Sequence, residues 1–260
     1  MNPRLWLVLA LVGLAVFSQS LLAQGPPPSD PQAVNLASQS INALTHGSSI
    51  SDVTLTGTAT WNGGPDIATA TLRALGTDES RMDLALGSGM RTEIRDAQTG
   101  TQLGQWTNPD GAFGDIAFQN CQTDAAWFFP GLSSLAMGPN IVLSYIGPET
   151  RDGHSVQHIQ AYTYHPTSPP GLSMQQLSEI DFYLDTATLL PVAATFNAHP
   201  DNDATTNLLV EIGFSGYQTI SGILVPTHIQ RSQQGNVTAD IVVSAAAFNS
   251  GLPLSLFAIN

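Results

Sequence analysis

Apolar and polar residues alternate along most of this chain, most regularly from Glu179 to the C-terminus. Ile180, Phe182 and Leu184 take every second position before a turn at Asp185-Thr186-Ala187-Thr188. Val192, Ala194 and Phe196 follow, then Leu208, Val210, Ile212 and Phe214, then Ile223, Val225 and Ile229. A period of two, interrupted by clusters of Gly, Asn, Asp and Pro, specifies half-buried strands joined as a meander. The first half has the same rhythm in Val53, Leu55, Gly57, Ala59 and Trp61 and again over residues 67–75. Residues 80–86 and 90–96 flank Gly87-Ser88-Gly89, which reads as a three-residue hairpin loop. That register sets Leu86 against Met90, Leu84 against Thr92 and Met82 against Ile94 on one face. Arg81, Asp83, Arg91, Glu93 and Arg95 then share the other face, as a solvated cross-strand ladder in preference to an anion site. Strands resume over 141–146 and 156–164. A sheet of this kind has one greasy face that something must cover.

Three segments break the rhythm. Asp30 before Pro31 is a helix N-cap with proline in the first turn, and Val34, Ala37, Ile41 and Leu44 recur at helical spacing up to Gly47. Residues 112–138 hold Phe118, Trp127, Phe128, Phe129, Leu132, Leu135 and Met137, broken by Pro130-Gly131. They read as short helical turns, serving either as a core cap or as a lid over a cavity. Residues 167–177, with Pro169-Pro170-Gly171, form a second excursion.

Residues 1–23 have the make-up of a cleaved export signal: Arg4, an apolar run over 5–17 and Ala23 at the cut. Without them, 24–260 reads as a single domain with no integral membrane segment. It carries no Lys, and its six Arg face 20 carboxylates, for a net charge of −14. Such a surface repels phosphate backbones, which argues against nucleic-acid binding. Cys121 stands alone, so no disulfide holds the fold, and a small buried hydrophobe is the reading it supports.

Chemistry-bearing patterns are scarce. Gly-x-Ser-x-Gly, His-Glu-x-x-His, Cys-x-x-Cys, P-loop and dinucleotide fingerprints are all missing. His154, His158 and His165 read as strand-surface histidines, and His199 to Asp203 as an Asx-rich turn. Asp181 and Asp185 share a polar face. The residues therefore name no catalytic group, no metal ligand and no cofactor.

The C-terminal meander contains Asp181-Phe182-Tyr183-Leu184-Asp185 with Leu190-Pro191, then Ile212-Gly213-Phe214-Ser215-Gly216-Tyr217. Gly222-Ile223-Leu224-Val225-Pro226-Thr227-His228-Ile229 follows, and Phe248-Asn249-x-Gly251-Leu252 closes it. This pattern resembles the LolA-like superfamily of outer-membrane lipoprotein carriers and lipoprotein-sorting proteins, with relatives in envelope-stress sensing. The resemblance implies a mainly β fold: a curved antiparallel sheet, an incomplete barrel of about 11–12 strands, with a helical lid on its concave face. It also implies an exported, periplasmic carrier, not an enzyme, that holds lipid or the acyl chains of lipoproteins in a hydrophobic cleft. The wall would be Met82, Leu84, Met90, Ile94, Leu143, Phe182 and Phe196. The lid would be Phe118, Trp127, Phe128, Phe129, Leu132, Leu135 and Met137. The partners implied are lipid or an acylated protein. The alternative is an envelope interaction or sensor module with the same fold, a protein partner and no displaceable ligand. The carriers also lock the lid with a basic side chain, a role not assigned here to any Arg.

Overall fold

The computed structural model describes residues 25–98, 100–166 and 174–259. The export signal of residues 1–23 lies outside them, as does 167–173 of the second excursion.

Helix α1 (Pro31–Thr45) begins as the sequence specifies. The Asp30 carboxylate accepts from the backbone N–H of Gln32 at 2.7 Å and of Ala33 at 3.2 Å. It ends where His46 and Gly47 turn left-handed, at φ 52° and 79°. The stripe it buries is Ala33, Ala37, Ser40 and Leu44; Val34 and Ile41 flank that stripe and pack on the core from its sides.

A first run of strands comprises β1 (Asp52–Trp61), β2 (Ile67–Leu75), β3 (Glu79–Leu86), β4 (Gly89–Asp96), β5 (Leu103–Thr107) and β6 (Phe113–Asp115), each antiparallel to the one before. A second run comprises β7 (Ile141–Arg151), β8 (His154–Thr163), β9 (Ile180–Asp185), β10 (Pro191–Ala198), β11 (Leu208–Ser215), β14 (His228–Gln233) and β15 (Asn236–Phe248). The short helix α2 (Met174–Ser178) precedes β9, and a separate hairpin, β12 (Gln218–Ile220) with β13 (Ile223–Val225), precedes β14. Strand β15 pairs with β1, so the two runs join into one curved antiparallel sheet of 13 strands. Its ends are β6 and β7, neighbours in sequence but at opposite edges, so the sheet is an incomplete barrel. Residues 116–140 must therefore cross from one edge to the other, and they do so over the inner face.

The fold class is the one expected, with more strands. Strands β5, β6 and β12 are too short to show a period. The expected run from Ile223 to Ile229 divides at Pro226, which cannot donate to a ladder. Each exposed edge carries a cover or is short. At β7, Leu143 donates to the Ser29 hydroxyl at 3.0 Å and its carbonyl accepts from Asp30 N–H at 2.8 Å. The C-terminal signature is a clasp on the start of β1. Asn249 Oδ1 accepts from Ser51 N–H at 2.7 Å, and Asp52 accepts from Ser250 N–H at 2.9 Å and Gly251 N–H at 3.0 Å.

One register differs from the expectation, and it matters most for function. Leu86 pairs with Gly89, so the β3–β4 loop is the two-residue Gly87-Ser88, and Gly89 alone of the three takes positive φ. A shift of one residue turns every side chain of β4 over. Met82 now faces Glu93 and Leu84 faces Arg91 on the inner face, while Met90, Thr92 and Ile94 lie on the outer face with Arg81 and Asp83.

Candidate functional site

The inner face is apolar along most of its width. Leu55, Leu72, Met82, Leu84, Leu143, Ile159, Phe182, Phe196, Val210 and Ile212 form one buried cluster there. Of the seven wall residues, five therefore line the concave side. Met90 is a correction: it lies outside and is 51% exposed. Ile94 is a second correction, because it is buried on the outer face, on the side where the C-terminal segment docks. Arg81 donates there to the Leu256 carbonyl at 3.3 Å.

The crossing segment fills the concavity. It contains single 3-10 turns at Phe118–Asn120, Pro130–Leu132 and Ser134–Ala136, and no longer helix. Phe128, Phe129, Leu132 and Leu135 are buried in the sheet's own core cluster, and Trp127 packs against it half-buried. Phe118 and Met137, at the two ends, are exposed at 42% and 37%. The expected lid is thus present in its middle and solvated at its ends. Several openings lie around it, and two of them have partly apolar rims. One, of about 410 Å³, lies between Ile50, Ile223, Ala246 and Phe248. The other, of about 280 Å³, lies between Ile41 and Thr45 of α1 and Ala136 and Met137.

Polar anchors hold the segment down. Asn120 donates to the His199 carbonyl at 2.8 Å and accepts from His199 N–H at 2.7 Å, a two-bond clamp to the end of β10. Asp124 is buried and accepts from the backbone N–H of Ser134 at 2.8 Å and from its hydroxyl at 2.5 Å. Burial pushes the Asp124 carboxyl up to about 6, against the opposing effect of both Ser134 bonds. Between the ordinary carboxylate range and pH 6 the folded chain holds a proton that the unfolded chain has released. This contribution to stability is complete at acid pH and lost as the pH rises through 6. Asp124→Asn should flatten the wild-type decline between pH 4 and 7 by about 3 kcal/mol, read from urea midpoints across that range. Taking the difference between the two proteins cancels the other titrating groups. Parallel profiles would exclude Asp124 as the source.

The turned-over β4 brings charge inside. Arg91, Glu93 and Arg95 lie on the inner face, and Arg231 of β14 shares it with Ile229. Arg91 donates to Asn108 Oδ1, lies 4.3 Å from the centre of the Trp61 ring and is 3.6 Å from Glu93. Arg231 donates to Thr238 Oγ1 at 3.0 Å and lies 5.8 Å from the Trp127 ring. Burial lowers the Arg231 guanidinium, with Arg95 and Arg91 adding to the effect and Glu93 opposing it. A cavity of about 270 Å³ opens beside Glu93, Arg95, Trp106, Phe196, His199 and Arg231, with Asn120 and Thr123 of the crossing segment on its wall. The sequence reading missed this group because the hairpin loop admits two registers, and they place the three β4 charges, Arg91, Glu93 and Arg95, on opposite faces.

Outside, the sheet carries ladders. Asp83 accepts from Arg73 at 2.8 Å and from Arg81 at 2.9 Å. His158 lies between Glu149 and Asp181, at 2.5 and 2.8 Å. Ser215 Oγ is 3.2 Å from His228 Nδ1, and His228 Nε2 is 2.8 Å from Asp240. That last trio has the order of a hydrolase triad. Ser215 is solvent-exposed, however, and borders none of the cavities described above, so the trio reads as a cross-strand ladder. Asp203 accepts from Thr205 and Thr206 in the expected Asx turn, and Cys121 is a buried thiol that burial pushes up. Among the described residues no group of His, Cys, Asp and Glu has metal-holding geometry, and no helix is long and apolar enough to cross a membrane.

No family model and no curated protein matches the sequence. Among solved structures, the chain is similar to an outer membrane lipoprotein-sorting protein domain from Vibrio parahaemolyticus, at TM-score 0.55 and 13% identity, over 87% of this chain and 96% of that one. It is likewise similar to a LolA superfamily protein from Nitrosomonas europaea, at TM-score 0.53 and 10% identity, over 87% and 97%. At such identities the likeness speaks for architecture, and it agrees with the unclosed sheet and its crossing segment: the chain has the LolA-like fold.

Proposed function

We propose that this chain is an exported, non-enzymatic carrier that binds lipid or the acyl chains of lipoproteins between its sheet and residues 116–140. The observation that carries the reading is the crossing segment itself. It puts Phe128, Phe129, Leu132 and Leu135 onto an apolar concave face while having almost no regular structure of its own. Its aromatic side chains occupy the surface that an acyl chain would cover. Burying a long chain gains roughly 10 kcal/mol gross at about 0.8 kcal/mol per CH₂, before the costs of ordering. Lid packing competes with that gain, so uptake and release can be balanced without chemistry.

The filled concavity also favours the second reading, an envelope interaction or sensor module with a protein partner. Native mass spectrometry separates the two. The protein is exported to the periplasm of a bacterial host with its signal and purified without detergent. A carrier retains phospholipid or acylated peptide, and Trp127→Asp, at the half-buried rim of the lid, loses it. A bare mass that takes up no added lipid would reject the carrier and leave the module.

A further inference from the structure

The inner-face arginines are a poor fit to a purely apolar cleft. The mature chain has six Arg and no Lys against 20 carboxylates, yet three of those six lie on the concave side. They meet one carboxylate there, Glu93, and a second, Asp201, at the exposed rim of the cavity. Glu93 is turned to Arg91. Arg95 keeps Nε and Nη1 buried with no hydrogen-bond partner among the described residues. His199 is 3% exposed; its Nδ1 is 3.0 Å from the Thr206 carbonyl, and its Nε2 is buried without a partner. A carbonyl only accepts, so Nδ1 carries the proton, and Nε2 of the neutral ring is an acceptor without a partner, which a ligand hydroxyl such as that of a hydrogen phosphate can satisfy.

Buried donors without an acceptor are costly, those of a guanidinium most of all. Arg95, Arg231 and His199 line the same 270 Å³ cavity, so the unmet donors of Arg95, the guanidinium of Arg231 and the unpartnered nitrogen of His199 converge on one space. Guanidinium forks match the oxygens of carboxylate and phosphate. The space is just below the roughly 300 Å³ at which pockets for drug-sized ligands begin, which suits a head group and the start of a chain. Phe196, Trp106 and Ile116 supply an apolar side to it. Asn120 and Thr123 place it at the root of the crossing segment, so a chain leaving it would run toward the apolar face under the lid.

We infer that the cavity bounded by Arg95, Arg231 and His199 is an oxyanion site that takes the carboxylate or phosphate head group of an amphiphile whose chain lies under residues 116–140. The inference rests on the carrier reading for the chain and on the cavity alone for the anion.

Isothermal titration calorimetry with the signal-free chain tests it with three probes: palmitate, hexadecanol and inorganic phosphate. Palmitate should bind ten- to a hundredfold more tightly than hexadecanol, the gain of one or two charge-assisted hydrogen bonds. Arg95→Gln and Arg231→Gln should bring palmitate down to the level of hexadecanol and leave hexadecanol unchanged, and Arg81→Gln on the outer face should alter neither. If either inner variant fails to fold, wild-type protein decides: phosphate should displace palmitate and raise the melting temperature relative to chloride at equal ionic strength. Equal affinity for palmitate and hexadecanol, with no phosphate effect, overturns the oxyanion site and keeps the carrier. Phosphate binding that is lost in Arg95→Gln, with neither amphiphile bound, keeps an oxyanion site for free anions and overturns both the head-group assignment and the carrier.

Discussion

Phe129→Ala is expected to cost about 4 kcal/mol of folding stability and to raise the uptake of an uncharged naphthylamine dye. The side chain is fully buried, its ring centre is 5.6 Å from that of Phe248, and it covers the backbone at Gly131. Truncation removes the transfer free energy of the ring and leaves a cavity under the lid. The crossing segment has no regular element to hold it, so much of the loss should fall on the attachment of residues 116–140 to the sheet. Urea midpoints give the first effect and dye fluorescence the second. Lost stability without added dye uptake would mean that the concavity closes on itself, which favours the interaction module over the carrier.

The second large effect is expected from one methyl group. Gly57 sits at the seam between the two strand runs, where the register of β1 and β15 shifts and Ser244 is the extra residue. A Cβ added there would lie 2.0 Å from the Val242 carbonyl oxygen and 2.9 Å from Val243 Cα, all of it backbone. Neither strand can yield without breaking the pairing that makes one sheet of two. Gly57→Ala should therefore cost about 3 kcal/mol or more, seen as a lower urea midpoint at unchanged m value. Gly213→Ala is the control. It too lies inside a strand, but its nearest neighbour would be the Gln230 carbonyl at 3.9 Å, ordinary contact. That substitution should fall within about 1 kcal/mol of wild type, since alanine also lowers the entropy of the unfolded chain. Equal costs at the two positions would refute the seam argument.

Much of the architecture was legible because it depends on local chemistry. Asp30-Pro31 starts α1 wherever that helix lies, and the alternation of Ile180, Phe182 and Leu184 makes a strand with one apolar face in any sheet. The aromatic content of residues 112–138 marked a break in the strand rhythm; Phe113–Asp115 nevertheless form the short edge strand β6, and the middle of the segment lies on the concave face. Phe118 and Met137 were misplaced because composition does not say where a segment enters and leaves the core.

The candidate site divides along the same line. An apolar sheet face, the need for a cover and an acidic balance could be read from the residues, because hydrophobic period, turn residues and net charge are properties of short stretches or of the whole composition. Which side the charges of β4 take is settled in the folded sheet. Gly87-Ser88-Gly89 accepts either a two- or a three-residue loop at similar local cost, and the alternation of β4 does not discriminate, since Thr92 and Ile94 fit either face. The pairing of β3 with β4 across the whole sheet fixes it, and with it the convergence of Arg95 on Arg231 and His199, which lie more than a hundred residues further along the chain. A single step of register separates a solvated ladder from a buried cation cluster, and that step is set by contacts that no local pattern contains.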